Sequence, residues 1–337
     1  MRRLLITGGA GFIGSNFVRM VLSEQPDCFV ANLDKLTYAG NLENLAGFEN
    51  HPNHKFVKGD ICDAALISRL IDEFKIDTIV NFAAESHVDR SISEPKIFIE
   101  TNVTGTLTLL EAARDKKLRQ FVQISTDEVY GALGREGMFT EDTPLSPNSP
   151  YSASKASADL LVRAFGHTFG VQYNITRCSN NYGPYQFPEK LIPLMINNAL
   201  NDKQLPVYGD GMQIRDWLYV YDHCTAIWKV LTEASPGEIY NIGGCNEKAN
   251  IDVVRLILSR LSKPESLIKH VTDRLGHDRR YAIDASKIIN KLKWQPSVSF
   301  EQGIAKTIDW YLANRKWLAN VVSGDYQKYY DSMYKNR

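Results

Sequence analysis

Short apolar runs alternate with stretches of helical periodicity through the first half of the chain. The runs "RLLIT" (3–7), "FVANLD" (29–34), "KFVKGD" (55–60), "DTIVNFA" (77–83), "FVQIST" (121–126) and "YNITRC" (173–178) have the length and content of buried strands. Between them, "FIGSNFVRMVLSE" and "VTGTLTLLEAARDKK" repeat apolar residues at three- and four-residue spacing, as helices with one packed face do. Strand–helix alternation of this kind predicts right-handed βαβ units: an α/β, Rossmann-type, doubly wound parallel sheet with helices on both faces. The rhythm breaks after Cys178. "NNYGPYQFPEKLIP" reads as a loop feeding a helix, and the later elements are irregular, ending in an amphipathic helix near 251–262. The expected division is a first domain over 1–178 built on the parallel sheet. A smaller α/β domain over 179–337 follows, part of it returning to the first.

Composition narrows the function classes. The 337 residues carry 39 Lys+Arg against 39 Asp+Glu, so no global basic field argues for nucleic acid and no polybasic tract for an anionic membrane. The five cysteines are scattered and lack metal-type spacing, and the seven histidines are equally dispersed, so no metal is expected. The apolar run in "MRRLLITGG" is too short for a signal peptide, and no run approaches bilayer length. A cytoplasmic protein with free thiols is expected.

The first strand runs straight into "TGGAGFIG", with Gly8, Gly9, Gly11 and Gly14. Glycines there permit a tight turn, close approach of backbone to a pyrophosphate, and close helix packing. A helix starting near Gly11 would aim its first N–H groups at that anion. Alone the pattern could be only a turn; between a strand and a helix it is a dinucleotide fingerprint. Asp34 ends the second strand 20 positions after Gly14, where a carboxylate accepts hydrogen bonds from a ribose diol and repels a 2′-phosphate. That favours NAD over NADP, with Lys35 tempering it, although Asp34 could also be a turn cap. Asp60 could meet the adenine amino group or be a plain turn residue.

"SPYSASKASAD" sets Tyr151 and Lys155 four apart on a helix that Ser149 can cap and Pro150 can start. The pair shares a helix face, and an ammonium near a phenol favours the phenolate, which can take a proton from a sugar hydroxyl as hydride leaves. "STDEVYG" then poses a puzzle, because Asp127 and Glu128 follow Thr126 at the end of a buried strand. Burying charge is costly unless it is paired or used. In an ideal strand Thr126 and Glu128 share a face and Asp127 points away, so joint use requires the strand to end there. The bland reading is a solvated turn pair.

Together these motifs resemble the extended short-chain dehydrogenase/reductases acting on nucleotide sugars. The stretches "ITGGAGFIGSNFV", "DKLTYAGNLENL", "AAESHVDRSI", "PYSASKASAD", "CSNNYGPYQFPEKLIP", "GDGMQIRDWLYVYDH", "YNIGG" and above all "TDEVYG" and "GHDRRYAID" resemble the dTDP-glucose 4,6-dehydratase family, from Met1 to about Leu312. The segment 132–148 is short beside some members, which should alter only a surface loop. The resemblance implies tightly bound NAD+, regenerated each turnover, and dTDP-glucose as substrate. Tyr151 would take the O4 proton while C4 hydride leaves, Glu128 would remove the C5 proton, and Asp127 would protonate the departing C6 hydroxyl. Hydride then returns to C6 and a proton to C5, giving dTDP-4-keto-6-deoxyglucose, with Thr126 steadying the sugar.

Carried over by position, Gly8, Gly11, Phe12, Ile13, Gly14, Asp34, Lys35, Thr37, Asp60, Ile61, Ala83, Ser86, Thr101, Tyr151, Lys155 and Asn181 would hold the cofactor. Ser86, Thr126, Asn180, Lys190, Leu191, Tyr208, Arg215, Asn250, Arg279 and Tyr281 would hold the nucleotide sugar, the two arginines its diphosphate. The choice of Arg279 over Arg280 rests on the resemblance alone, and Arg215 could instead be a surface ion pair with Asp216 or Asp222. His87 reads as structural. Family members pair through helices near 97–116 and 150–168, so a homodimer with a four-helix bundle is expected. A 4-epimerase would keep Tyr151 and Lys155 without needing the acid pair. A UDP-glucose or UDP-N-acetylglucosamine 4,6-dehydratase, or a UDP-glucuronate decarboxylase, shares the scaffold. A non-enzymatic NAD-sensing regulator would keep the glycines but not need Tyr151 and Lys155.

Overall fold

A computed structural model describes residues 2–273 and 277–323; positions 274–276 and 324–337 of the expected second domain lie outside the described residues. The path begins β1 (Arg2–Thr7), α1 (Phe12–Glu24), β2 (Cys28–Asp34), β3 (His54–Lys58), α2 (Ala64–Phe74), β4 (Thr78–Asn81), α3 (Val88–Ser93), α4 (Pro95–Phe98), α5 (Thr106–Asp115) and β5 (Gln120–Thr126). It continues α6 (Pro150–Phe169), β6 (Tyr173–Cys178), β7 (Asn180–Tyr182), α7 (Leu191–Leu200), β8 (Leu205–Tyr208), β9 (Ile214–Tyr219), α8 (Val220–Glu233) and β10 (Ile239–Ile242). The last elements are β11 (Glu247–Ala249), α9 (Asn250–Arg260), β12 (Ile268–Val271), α10 (Ser286–Leu292), α11 (Phe300–Ala313) and α12 (Arg315–Val321).

Seven strands form one parallel sheet in the order β10-β6-β5-β4-β1-β2-β3. Its strands are apolar on both faces because helices cover both. Leu4 and Ile6 of β1 pack with α1 and α8, while Leu5 between them packs with α2, α5 and α6. The chain reverses direction across the sheet between β1 and β4, which opens a crevice at the strand C-termini. Thr7, Asp34, Asn81, Thr126 and Cys178 all end strands on that edge. The chain after Cys178 does not form one separate block. β10 extends the first sheet and α8 seals one of its faces, while a second core gathers α7, α9, α11 and α12 around Tyr182, Trp217 and Phe300.

The helix expected over 97–116 is broken by a π-helical turn, Ile99–Gly105. The cause is Asn102, whose amide turns away to bond the Glu85 N–H at 2.9 Å, the Glu85 carbonyl at 3.0 Å and Ser154 Oγ at 2.8 Å. A wider turn of this kind accommodates a side chain tied off the helix axis and is common at functional sites. It sets Thr101 at the crevice. Among the described residues no helix is long and apolar enough to cross a membrane, and no cluster of His, Cys, Asp or Glu is arranged to hold a metal ion.

Candidate active site

A cavity of about 290 Å³ occupies the crevice. At one end lies the glycine turn. Gly8 has φ +69° and a Cβ on it would come within 2.6 Å of Ala83 N; a Cβ on Gly14 would stand 2.2 Å from Gly8 O. A side chain at Gly8 would collide with the backbone after β4, and one at Gly14 would push α1 away from the turn after β1. Gly11 begins α1 with no side-chain cap, so the first N–H groups of the helix face the cavity unclaimed by a capping side chain. That is the arrangement a pyrophosphate requires.

Asp34, 8% exposed, closes this end. Its carboxylate accepts from Ala10 N at 2.9 Å and Leu36 N at 2.8 Å, which leaves lone pairs for a diol. Burial raises its pKa, against hydrogen bonds that pull it down. Lys35 turns from Asp34 to pair with Asp60 at 2.7 Å, so the cation that tempered the NAD reading is neutralised by the neighbouring carboxylate. Phe12, Ile13, Thr37, Ile61, Ala83, Ser86 and Thr101 line the same cavity.

At the other end, β5 stops at Thr126 and a 3-10 turn, Asp127–Tyr130, begins at once. Thr126 Oγ1 caps that turn by accepting from Glu128 N, and Gly131 ends it at φ +91°. The tight turn replaces strand alternation, so Thr126, Asp127 and Glu128 all line the cavity with Tyr151 and Lys155. Ser152 Oγ donates to Glu128 Oε2 at 3.3 Å, tying the carboxylate to α6. Asp127 is 2% exposed; Thr126 bonds its Oδ1, and its Oδ2 has no hydrogen-bond partner among the described residues. Burial, then the charges of Glu128 and Asp216, push its pKa well above the usual carboxylate range. These surroundings favour the protonated acid over the carboxylate.

Tyr151 and Lys155 lie one turn apart on α6, 8% and 4% exposed. Lys155 Nζ donates to Ile124 O at 2.7 Å. The sequence predicts that the ammonium favours the phenolate. In the protein alone, burial and the Glu128 charge dominate and push Tyr151 well above its ordinary value.

Asn180, Asn181 and Lys190 also line the cavity. Leu191, Tyr208, Arg215, Asn250, Arg279 and Tyr281 do not. Arg215 is 5% exposed, donates to Ile214 O and Asp278 O, and lies 4.3 Å from the Tyr281 ring centre. It is buried rather than on the surface, and its charge reaches Asp127. Tyr281 donates to Asp278 Oδ2. Asn250 starts α9 with its Oδ1 buried and without a hydrogen-bond partner among the described residues. Arg279 makes an exposed two-pronged pair with Asp210, at 2.8 and 2.9 Å, while Arg280 is engaged by Glu247 and the Gly137 carbonyl. His87 caps α3 through its ring.

Sequence reasoning missed a clasp across the cavity mouth. Tyr38 from the loop after β2 donates to Glu189 Oε1 at 3.1 Å, Arg90 lies 3.7 Å over the Tyr38 ring, and Phe187 packs edge-on against it. Lys190 Nζ reaches Ser86 O at 2.8 Å. Burial lifts Glu189 to about 7. No local pattern marks such a contact, because its members come from three separate loops. The Ser152–Glu128 bond escaped in the same way.

The chain matches the family described as GDP-mannose 4,6 dehydratase over residues 5–307. It is 57% identical to a dTDP-glucose 4,6-dehydratase of Xanthomonas campestris pv. campestris, across 97% of this chain and 98% of that one. The solved dTDP-glucose 4,6-dehydratase of Bacillus anthracis in complex with NAD superposes with a TM-score of 0.90 at 52% identity, covering 95% and 100% of the two chains. That of Streptomyces venezuelae, also with NAD bound, gives 0.91 at 51% identity over 94% and 98%. The glycine cradle, the acid pair and the Tyr–Lys helix thus sit in a chain that belongs to the dTDP-glucose 4,6-dehydratase family.

Proposed function

We propose that this chain converts dTDP-glucose into dTDP-4-keto-6-deoxyglucose, with NAD+ held throughout. The observation that carries the reading is the convergence of Asp127 and Glu128 with Tyr151 and Lys155 on one cavity, next to a glycine cradle that fits a dinucleotide. A 4-epimerase would have no use for the acid pair.

When bound, NAD+ accepts hydride from C4 and later returns it to C6, and its ring charge favours the Tyr151 phenolate. Tyr151 takes the O4 proton, with Thr126 and Lys155 holding the phenolic oxygen and its surroundings. A 4-keto group makes the C5 proton acidic, and Glu128, fixed by Ser152, removes it and gives a proton back to C5 when hydride has reached C6. Asp127, which burial keeps protonated, gives its proton to the leaving C6 hydroxyl. The split between a partly exposed base and a buried acid follows the rule that environment assigns roles to paired carboxylates. Arg215, with Tyr281, and Arg279 bind the diphosphate and nucleotide, and Asn180, Lys190, Leu191, Tyr208 and Asn250 complete that end. Asp34 and Asp60 hold the adenosine half.

The protein acts in the cytoplasm, where its free cysteines stay reduced. It works as a homodimer through the helices containing Ile99 and Leu160, which are 48% and 53% exposed. Large apolar side chains displayed on adjoining helices favour burial against a second copy.

The test is incubation with dTDP-, UDP-, GDP- and CDP-glucose followed by alkali, reading the ultraviolet absorbance of a 4-keto-6-deoxy sugar. The expected signal is strongest with dTDP-glucose. Signal with UDP-glucose alone would make it a UDP-glucose dehydratase, and none with any donor would end the dehydratase reading.

A further inference from the structure

We infer that Asp159 is a positioning residue for the reaction, keeping the Lys155 ammonium charged inside the core. This rests on the dehydratase reading for its catalytic meaning. α6 carries Tyr151, Lys155 and Asp159 at successive four-residue steps, so the three lie along one stripe of the helix. All three are buried, Asp159 to 1% exposure. A buried ammonium is costly, and Lys155 Nζ donates to a neutral carbonyl, that of Ile124. A charge is needed to hold its proton.

The groups facing Lys155 from each packed element leave Asp159 as that charge. From α6 come Tyr151, a phenol, and Asp159. From β6 come Cys178, which burial keeps as a thiol, and Arg177, which bonds Asp159. From the turn after β5 come Asp127, which burial keeps protonated, and Glu128, which Ser152 holds beside Tyr151. Asp159 is the charge that favours protonated Lys155 against burial, and the Arg177 guanidinium beside it favours the carboxylate form that burial opposes.

Asp159 is itself held in place. Arg177 Nε donates to its Oδ2 at 2.9 Å, Arg177 Nη1 donates to Tyr130 Oη at 2.9 Å, and Tyr130 donates to Asn241 Oδ1 at 2.7 Å. The chain of bonds runs from α6 through β6 to β10. Its Oδ1 has no hydrogen-bond partner among the described residues. An ion pair that served only to staple α6 to β6 would gain from engaging both carboxylate oxygens.

The experiment reads Lys155 directly. In protein labelled with carbon-13 at the lysine ε-carbons, the Lys155 resonance is assigned by its loss in Lys155→Met. Its titration midpoint should fall by about one pH unit or more in Asp159→Asn. The alkaline limb of kcat/KM should move down with it, because the ammonium loses its proton earlier. Asp159→Asn leaves Arg177 buried without its partner, so Asp159→Leu/Arg177→Met, which removes the whole pair, is measured beside it. The same downward shift is expected there. An unmoved Lys155 midpoint and pH profile in whichever variants fold, with only yield or melting temperature reduced, would overturn the inference and leave Asp159 a packing residue. Failure of the dehydratase reading would show instead as no alkali signal in the unaltered protein, with the lysine titration still reporting on Asp159.

Discussion

At Asp127 the fold works against charge, and that has consequences for both rate and stability. Its carboxyl is pushed up by burial, so the folded state holds a proton that the unfolded chain releases at ordinary carboxylate pH. With the folded pKa above the unfolded one, the folded state binds more protons between them. Stability therefore falls as pH rises through that interval. Asp127→Asn should raise the melting temperature by a few degrees at pH 8 and flatten its pH dependence, measured by calorimetry; an unchanged melting curve would contradict a proton-bearing Asp127. The same variant should lower kcat by about 10²–10⁴ fold. A 6-fluoro substrate, whose leaving group needs no proton, should recover much of that loss. Glu128→Gln should stop exchange of the C5 proton with solvent yet keep the transient NADH absorbance, since oxidation at C4 precedes its step.

Two elements place the chemistry, and they differ in how readable they are. The β1–α1 turn announces itself, because only glycine can stand where a Cβ would be 2.2 Å from a carbonyl oxygen, as at Gly14. Gly14→Ala should cost several degrees of melting temperature and yield protein largely stripped of NAD, read by its absorbance after gel filtration. Retention of cofactor at normal stoichiometry would show that the turn tolerates the methyl group. The turn after β5 is quieter. "TDEVYG" contains the residues, but a strand of the same sequence would send Asp127 to the opposite face. The 3-10 geometry, capped by Thr126 and closed by Gly131 in a left-handed conformation, brings the acid round. The π-turn at Ile99–Gly105 was equally hidden, since it depends on Asn102 bonding Glu85 and Ser154 from elsewhere in the fold.

Over the whole molecule, the cavity is closed by parts distant in sequence. The Tyr38–Glu189 bond and the Lys190–Ser86 bond tie the loops after β2 and β4 to the segment that follows β7. Ile99 and Leu160 are exposed on the helices proposed to pair two copies. Leu160→Arg should therefore halve the mass seen by light scattering, at unchanged far-ultraviolet circular dichroism. A dimer that survives this change would move the interface elsewhere.

The sequence alone determined the parallel sheet, the glycine turn, Asp34 at the second strand's end and the Tyr151–Lys155 spacing. Each is a local signal: a period, a steric exclusion, or a fixed separation on one helix. The tertiary structure decided what depends on meetings between separate segments. It brought Asp127 in beside Glu128 and set the charge balance around Tyr151 and Lys155. It also returned α8 and β10 to the first sheet. The physical reason is that burial and electrostatics are properties of an assembled environment, and a carboxylate's proton affinity has no counterpart in the order of its neighbours along the chain.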